Sequence, residues 1–117
     1  MGLLPVSVEE ALDPSSKVYS RWTLHGVSHM LGMDVHDCGQ AAPEAYTRAE
    51  LRPGMVLTVE PGLYFQANDL LVPEELRGIG IRIEDDIVVT AEGSLNLSGA
   101  LPRSADDVEA WMAQLRG

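Results

Sequence analysis

The chain has 117 residues, with 8 Lys+Arg against 18 Asp+Glu and a formal net charge of −10 when the three His are neutral. At 45% hydrophobic and 22% charged, it has enough apolar material for one globular core and does not read as a disordered polyelectrolyte. The acidic balance argues against nucleic acid or an anionic membrane surface as partner, and no apolar run approaches the ~18 residues of a membrane span. The single cysteine, Cys38, excludes an internal disulfide and fits a reducing compartment, by default the cytoplasm.

Residues 1–20 read as a lead-in: a short element around Val8 to Leu12, then a polar loop through Asp13-Pro14-Ser15-Ser16-Lys17. The remainder, 21–117, opens on the chemically unusual stretch Trp22 to Asp37, where all three histidines, His25, His29 and His36, fall among apolar residues and glycines at spacings of four and seven. After a polar loop carrying Pro43, Pro53 and Gly54 are expected at the centre of a turn, because Pro presets φ near −65° and Gly accepts φ > 0. A strand should follow over Met55 to Glu60, stopped by Pro61-Gly62 before a second short apolar stretch, Leu63-Tyr64-Phe65.

Gln66 to Arg77 reads as an acidic, irregular loop. From Ile79 to Glu84 the pattern alternates strictly, with the isoleucines on one face and Gly80, Arg82 and Glu84 on the other; Asp85-Asp86 are expected as a turn into a strand over Ile87 to Thr90. The C-terminus reads as a helix. Ser104 to Asp107 has the spacing of a capping box with Asp in place of Glu/Gln, and Val108, Trp111, Met112 and Leu115 recur at helical spacing, so Trp111 is expected as a core anchor. Strands with turns and flanking helix make an α+β chain.

Glu60 and Glu84 each close a strongly apolar strand, where a carboxylate is costly to bury without a cation or donors. Each alone could face solvent or pair with an arginine such as Arg82, and any one histidine could be structural. Taken together, one His with several carboxylates suits a fairly hard divalent ion such as Mn²⁺, and two such ions suit hydrolysis, with the other histidines as hydrogen-bond donors or proton carriers. Cys38 has no second cysteine to complete a thiolate site and is expected to be a small buried residue. There is neither a Walker-type phosphate loop nor a nucleophile elbow.

Three blocks in order, HGVSHMLGMDVHDCG at 25–39, LRPGMVLTVEPGLYF at 51–65 and GIGIRIEDDIVVT at 78–90, resemble the pita-bread metallopeptidases, most closely the Xaa-Pro aminopeptidases. The resemblance implies the C-terminal half of a pita-bread catalytic domain over 21–117, a curved, mostly antiparallel sheet with flanking helices. It implies His29, Glu60 and Glu84 as ligands to two divalent metals, most closely Mn²⁺, with Glu84 bridging and Glu60 also accepting a proton. By the same resemblance His36 stabilises the tetrahedral intermediate, His25 lines the proline side of the substrate pocket, and Arg82 organises the network beside Glu84. The implied reaction is removal of the residue before proline by a metal-bound hydroxide, in a protein that forms a homo-oligomer and takes proline-containing peptides. The histidine pattern sets the methionine aminopeptidases aside; prolidase and a noncatalytic pita-bread peptide-binding module remain as alternatives.

The resemblance also implies five metal ligands, two of them aspartates upstream of the histidine block, and these are missing here. The expectation is therefore a fragment, inactive alone, whose strand edges and apolar surface the first half of the domain would cover.

Overall fold

The computed structural model describes residues 2–117; of the expected lead-in, Met1 lies outside the described residues. In chain order the elements are α1 (Val8–Leu12), β1 (Val56–Val59), β2 (Gly62–Tyr64), β3 (Gly80–Arg82), β4 (Asp85–Thr90), β5 (Gly93–Asn96) and α2 (Ala105–Arg116), with 3-10 turns at Val18–Arg21 and Glu74–Leu76. Two compact units share them: residues 2–27 with 60–82, and residues 28–59 with 83–117.

The first unit holds α1, β2 and β3. Ser7 caps α1 by accepting the Glu10 N–H at 3.1 Å, as its small hydroxyl allows. β2 and β3 pair antiparallel, with Gly62 opposite Arg82 and Tyr64 opposite Gly80. The core is Trp22, Phe65 and Val72, with Leu3 and Leu76 packed against it, and the two rings meet edge to face at 6.0 Å. The stretch 66–77, expected as an irregular acidic loop, thus supplies Val72 and the buried Asp69. Asp69 is the reason the stretch folds inward: its carboxylate accepts Arg21 Nε and Nη2 at 2.8 Å each, Trp22 Nε1 at 3.0 Å and the Leu71 amide at 3.0 Å. The Arg21 hydrogen bonds, helped by those from Leu71 and Trp22, hold its pKa well below the usual carboxylate range. Sequence alternation gives β3 its isoleucine face, yet β3 is exposed throughout, and Ile79, Ile81 and Ile83 are exposed as the reading of uncovered apolar surface anticipates.

The second unit holds a three-stranded antiparallel sheet in the order β1-β4-β5, followed by α2. The Pro53-Gly54 turn forms as expected, with Gly54 at φ 93° and the Met55 amide donating to Arg52 O at 3.1 Å; Gly54 N and Val89 O then meet at 2.9 Å and start the ladder to β4. Asp85-Asp86 is corrected: both residues are in β4, opposite Val59 and Thr58. Acids survive in the strand because the ends of the sheet supply donors. Arg103 forms a two-pronged ion pair with Asp85, Ser98 Oγ donates to Asp85 at 2.7 Å, and the Asp86 amide donates to Ser98 Oγ at 3.1 Å. β5 was not foreseen, since it follows a two-residue connection, Ala91-Glu92, with Gly93 at φ 149°.

α2 starts where expected, with Ser104 Oγ accepting the Asp107 amide at 3.2 Å and donating to its carboxylate at 2.6 Å. Trp111 is corrected: α2 buries none of its residues, and Trp111 is 46% exposed. Helical spacing gives the stripe a direction but does not supply an element to cover it. Cys38 is corrected as well. It is exposed, in the turn after His36 at φ 55°, where the backbone conformation and not packing sets its place.

Arg103, then Ser98 and Asn96, hold the Asp85 pKa down at about 2, below its ordinary 3.8. A carboxylate depressed on folding contributes stability that is present above its unfolded pKa and is lost as pH falls through the folded one. Between pH about 4 and about 2, urea midpoints of the wild type should therefore fall more steeply than those of Arg103→Met. Parallel slopes would remove this ion pair from the acid sensitivity.

Candidate metal centre

In the second unit, one edge of β1 pairs with β4 and the other receives the histidine segment. The Thr58 amide donates to His29 O at 2.9 Å, the Leu31 amide donates to Val56 O at 2.9 Å, and Met30 bridges to Leu57, so residues 29–31 run antiparallel to β1. Thr58, 1% exposed, adds its side chain, since Thr58 Oγ1 accepts the His29 amide at 3.1 Å. The Met30 amide donates to Tyr46 Oη at 2.8 Å, pinning the segment from the other side.

The His29 ring is oriented by Met30. Its Nδ1 lies 3.0 Å from Met30 O, and a carbonyl only accepts, so Nδ1 carries the proton and the lone pair of the neutral ring is on Nε2. Met30 O also accepts the Asp37 amide at 3.1 Å, which folds the 31–37 loop back and sets His36 against His29, ring centroids 4.4 Å apart at 77°. Gly32 permits this closure: a Cβ there would meet Asp37 Oδ2 at 2.2 Å. His29 and Glu84 offer ligand atoms within 4.8 Å of one another. An imidazole oriented through Nδ1 beside a carboxylate is a donor set that fits a divalent ion.

The first unit places the other sequence-named residues. Glu60 follows β1 directly and is 6% exposed; its amide donates to Val27 O at 2.8 Å. Burial of that carboxylate is offset by Arg82 Nη1, 3.2 Å from Glu60 Oε2. His25 is engaged at both ring nitrogens, Nδ1 with Gly26 O at 2.6 Å and Nε2 with Tyr64 Oη at 2.5 Å. Within the units, then, His29 joins Glu84 and His36, and Glu60 joins Arg82. Thr58, Tyr46 and Tyr64 were missed in the sequence. The one available signal was Thr58, a hydroxyl inside an apolar strand two residues before an acid.

The chain is similar to several known proteins. The chain is 64% identical over 116 residues to Xaa-Pro aminopeptidase 1 of Streptomyces coelicolor, covering 99% of this chain and 23% of that protein. It is 46% identical over 116 residues to Xaa-Pro aminopeptidase of Escherichia coli, covering 99% of this chain and 25% of that protein. Among solved structures, proline aminopeptidase P II from Yersinia pestis matches with a TM-score of 0.81 at 46% identity, over 97% of this chain and 25% of that one. Zinc-substituted E. coli aminopeptidase P in complex with product matches at 0.83 and 44%, over 99% and 25%. These likenesses give the class: the α+β pita-bread fold of aminopeptidase P. Residues 7–91 match metallopeptidase family M24, and the chain belongs to that family. It spans about a quarter of the length of the relatives it matches.

Thr58→Val keeps the strand and removes the oxygen that accepts the His29 amide. Hydrogen exchange at His29 should accelerate about fivefold, the worth of one net hydrogen bond, while Leu31, bonded to Val56, is unchanged. Equal rates at His29 in both proteins would remove Thr58 from the positioning of His29.

Proposed function

We propose that residues 21–117 are the C-terminal half of the catalytic domain of a metal-dependent Xaa-Pro aminopeptidase, with 1–20 as the lead-in from an upstream element. His29, Glu60 and Glu84 are the metal ligands this chain contributes. The observation that carries the reading is the His29–Glu84 pair, with His29 oriented through Met30 and backed by Thr58. Burial supports the third ligand: Glu60 is 6% exposed, and Arg82 Nη1 lies 3.2 Å from its Oε2.

His29, Glu60 and Glu84 would hold divalent ions, which when bound would supply Lewis acidity and a water acidic enough to ionise near neutral pH. Manganese suits the donor set of one imidazole and several carboxylates. Glu60 accepts the proton of the attacking water, and Arg82 Nη1, 3.2 Å from Glu60 Oε2, holds that carboxylate in place. His36, beside His29, donates a hydrogen bond to the oxyanion that develops at the scissile carbonyl. His25 lines the proline side.

Resemblance implies two further aspartate ligands, so turnover requires residues beyond these three, from the same polypeptide or a second one. The substrates are proline-containing peptides, and the working form is a homo-oligomer in the cytoplasm. A net charge of −10 keeps nucleic acid and anionic membranes out of its partners, and among the described residues no helix is long and apolar enough to cross a membrane.

Glu84→Ala in the protein as its own reading frame encodes it should lower kcat/KM on an Xaa-Pro peptide by more than about a hundredfold and reduce bound Mn²⁺. Near-normal turnover with bound metal would overturn the ligand assignment. Cleavage confined to dipeptides ending in proline would move the reading to prolidase. His36→Ala should lower kcat about a hundredfold and leave metal content unchanged; equal loss of metal would place His36 among the ligands.

A further inference from the structure

We propose that Arg103 and Ser98 are positioning residues for Glu84: together they clamp the first two residues of β4 and so fix the backbone that carries this ligand. The inference rests on the reading of Glu84 as a metal ligand. Glu84 stands one residue before β4 and belongs to neither ladder, so its place depends on how firmly β4 begins. Strand ends open locally unless something holds them. The register of β4 with β5 runs from Ile87 opposite Asn96 to Thr90 opposite Gly93, so β5 does not reach Asp85 or Asp86.

Residues 97–103 take over at that point. The Leu97 amide donates to Asp86 O at 2.8 Å and the Asp86 amide donates to Ser98 Oγ at 3.1 Å, so both backbone polar groups of Asp86 are bonded to this segment. Ser98 Oγ in turn donates to Asp85 Oδ1 at 2.7 Å. Arg103 engages every N–H of its guanidinium. Nε faces the two Asp85 oxygens at 3.1 and 3.2 Å, Nη2 donates to Asp85 Oδ1 and to Ser98 O, and Nη1 donates to Gly99 O at 3.3 Å and Leu101 O at 3.2 Å. The carbonyls of the 98–101 turn thus orient the guanidinium, and its planar fork matches a carboxylate as the three-donor ammonium of a lysine does not. Across the sheet, Asp86 is the register partner of Thr58, the residue that holds His29. One cross-strand pair therefore has His29 fixed on its β1 side and the start of β4 fixed on the other. Neither Ser98 nor Arg103 lies in the three sequence blocks that carry the resemblance.

The test uses the protein as its reading frame encodes it, in the wild type, Arg103→Met, Arg103→Lys and Ser98→Ala. Mn²⁺ affinity is measured by calorimetric titration under conditions where each protein is fully folded, and amide hydrogen exchange is followed without metal. In Arg103→Met, exchange at Asp86 should accelerate about tenfold, while Leu31, bonded to Val56 on the other edge of β1, is unchanged. Mn²⁺ binding should weaken about tenfold in Arg103→Met and about threefold in Ser98→Ala, with Arg103→Lys, which keeps the charge without the fork, closer to the wild type than Arg103→Met. A clamp that served only stability would lower the urea midpoint and leave the affinity of the folded protein alone, so wild-type affinity in Arg103→Met overturns the positioning role. Should Arg103→Met fail to fold, Ser98→Ala decides the same question, and wild-type affinity there overturns the proposal. A wild type that binds no Mn²⁺ instead defeats the reading of Glu84 as a ligand. Exchange at Asp86 then still decides the clamp, with equal rates in the wild type and the variants overturning it.

Discussion

His29 occupies its place because of a single threonine. Thr58 is almost completely buried in β1, and on one side it sits opposite Asp86 of β4, within the sheet. On the other it binds His29 through both backbone and side chain, donating its amide to the His29 carbonyl and accepting the His29 amide on Oγ1. A carbon isostere at this position would keep the strand but leave a backbone donor short of a partner, and that asymmetry between making and losing a buried hydrogen bond gives the contact its importance. The orientation of the ring then follows locally, because Met30 O takes both the His29 Nδ1 proton and the Asp37 amide. One carbonyl thus sets the tautomer of one histidine and closes the loop that brings the second beside it.

In the other unit a carboxylate plays the organising role. Asp69 comes from a stretch with no regular element of its own, yet it takes four donors and ties the Trp22 indole, the Arg21 guanidinium and the Leu71 amide to one point. Burying that charge would be costly alone, and the guanidinium fork with two further N–H groups offsets the cost. With Trp22 fixed in this way, its carbonyl anchors β2 through Tyr64, and the His25 segment leaves the core at a defined point. The small apolar core of Trp22, Phe65 and Val72 is therefore organised around a polar contact.

Much of this was legible in the sequence where local chemistry decides the outcome. The Pro53-Gly54 turn, a short element around Val8–Leu12, the capped C-terminal helix and the strands around 56–59 and 80–82 all follow from φ preferences, capping side chains and β-branched residues, although that the first element is a helix was not in the sequence reading. The candidate ligands were legible for a different reason: a carboxylate closing an apolar strand is conspicuous because it is expensive. What failed were inferences that need a partner far away in sequence. Asp85-Asp86 reads as a turn until Arg103 and Ser98 compensate the charge, and Trp111 reads as core although α2 buries none of its residues. Asp69 and Tyr64 carried no local signal at all, since their roles lie in Arg21, Trp22 and His25, some forty residues upstream.

Backbone pairing also explains why acids stand where they do. β1 and β4 form one ladder, β2 and β3 another, and the residues joining them along the chain are Glu60-Pro61 and Ile83-Glu84. Proline has no N–H to give a ladder, so pairing stops there for a covalent reason. A glutamate next to such a break is tethered by a strand on one side of the chain, yet it is not obliged to alternate with apolar neighbours across a continuous sheet. Glu60 shows what this permits: its amide is still bonded to Val27 O, its side chain is buried, and the charge is met by Arg82, the last residue of β3. The interruption gives the carboxylate a fixed backbone and a chosen counter-charge, which are the two properties a metal ligand or a proton acceptor requires.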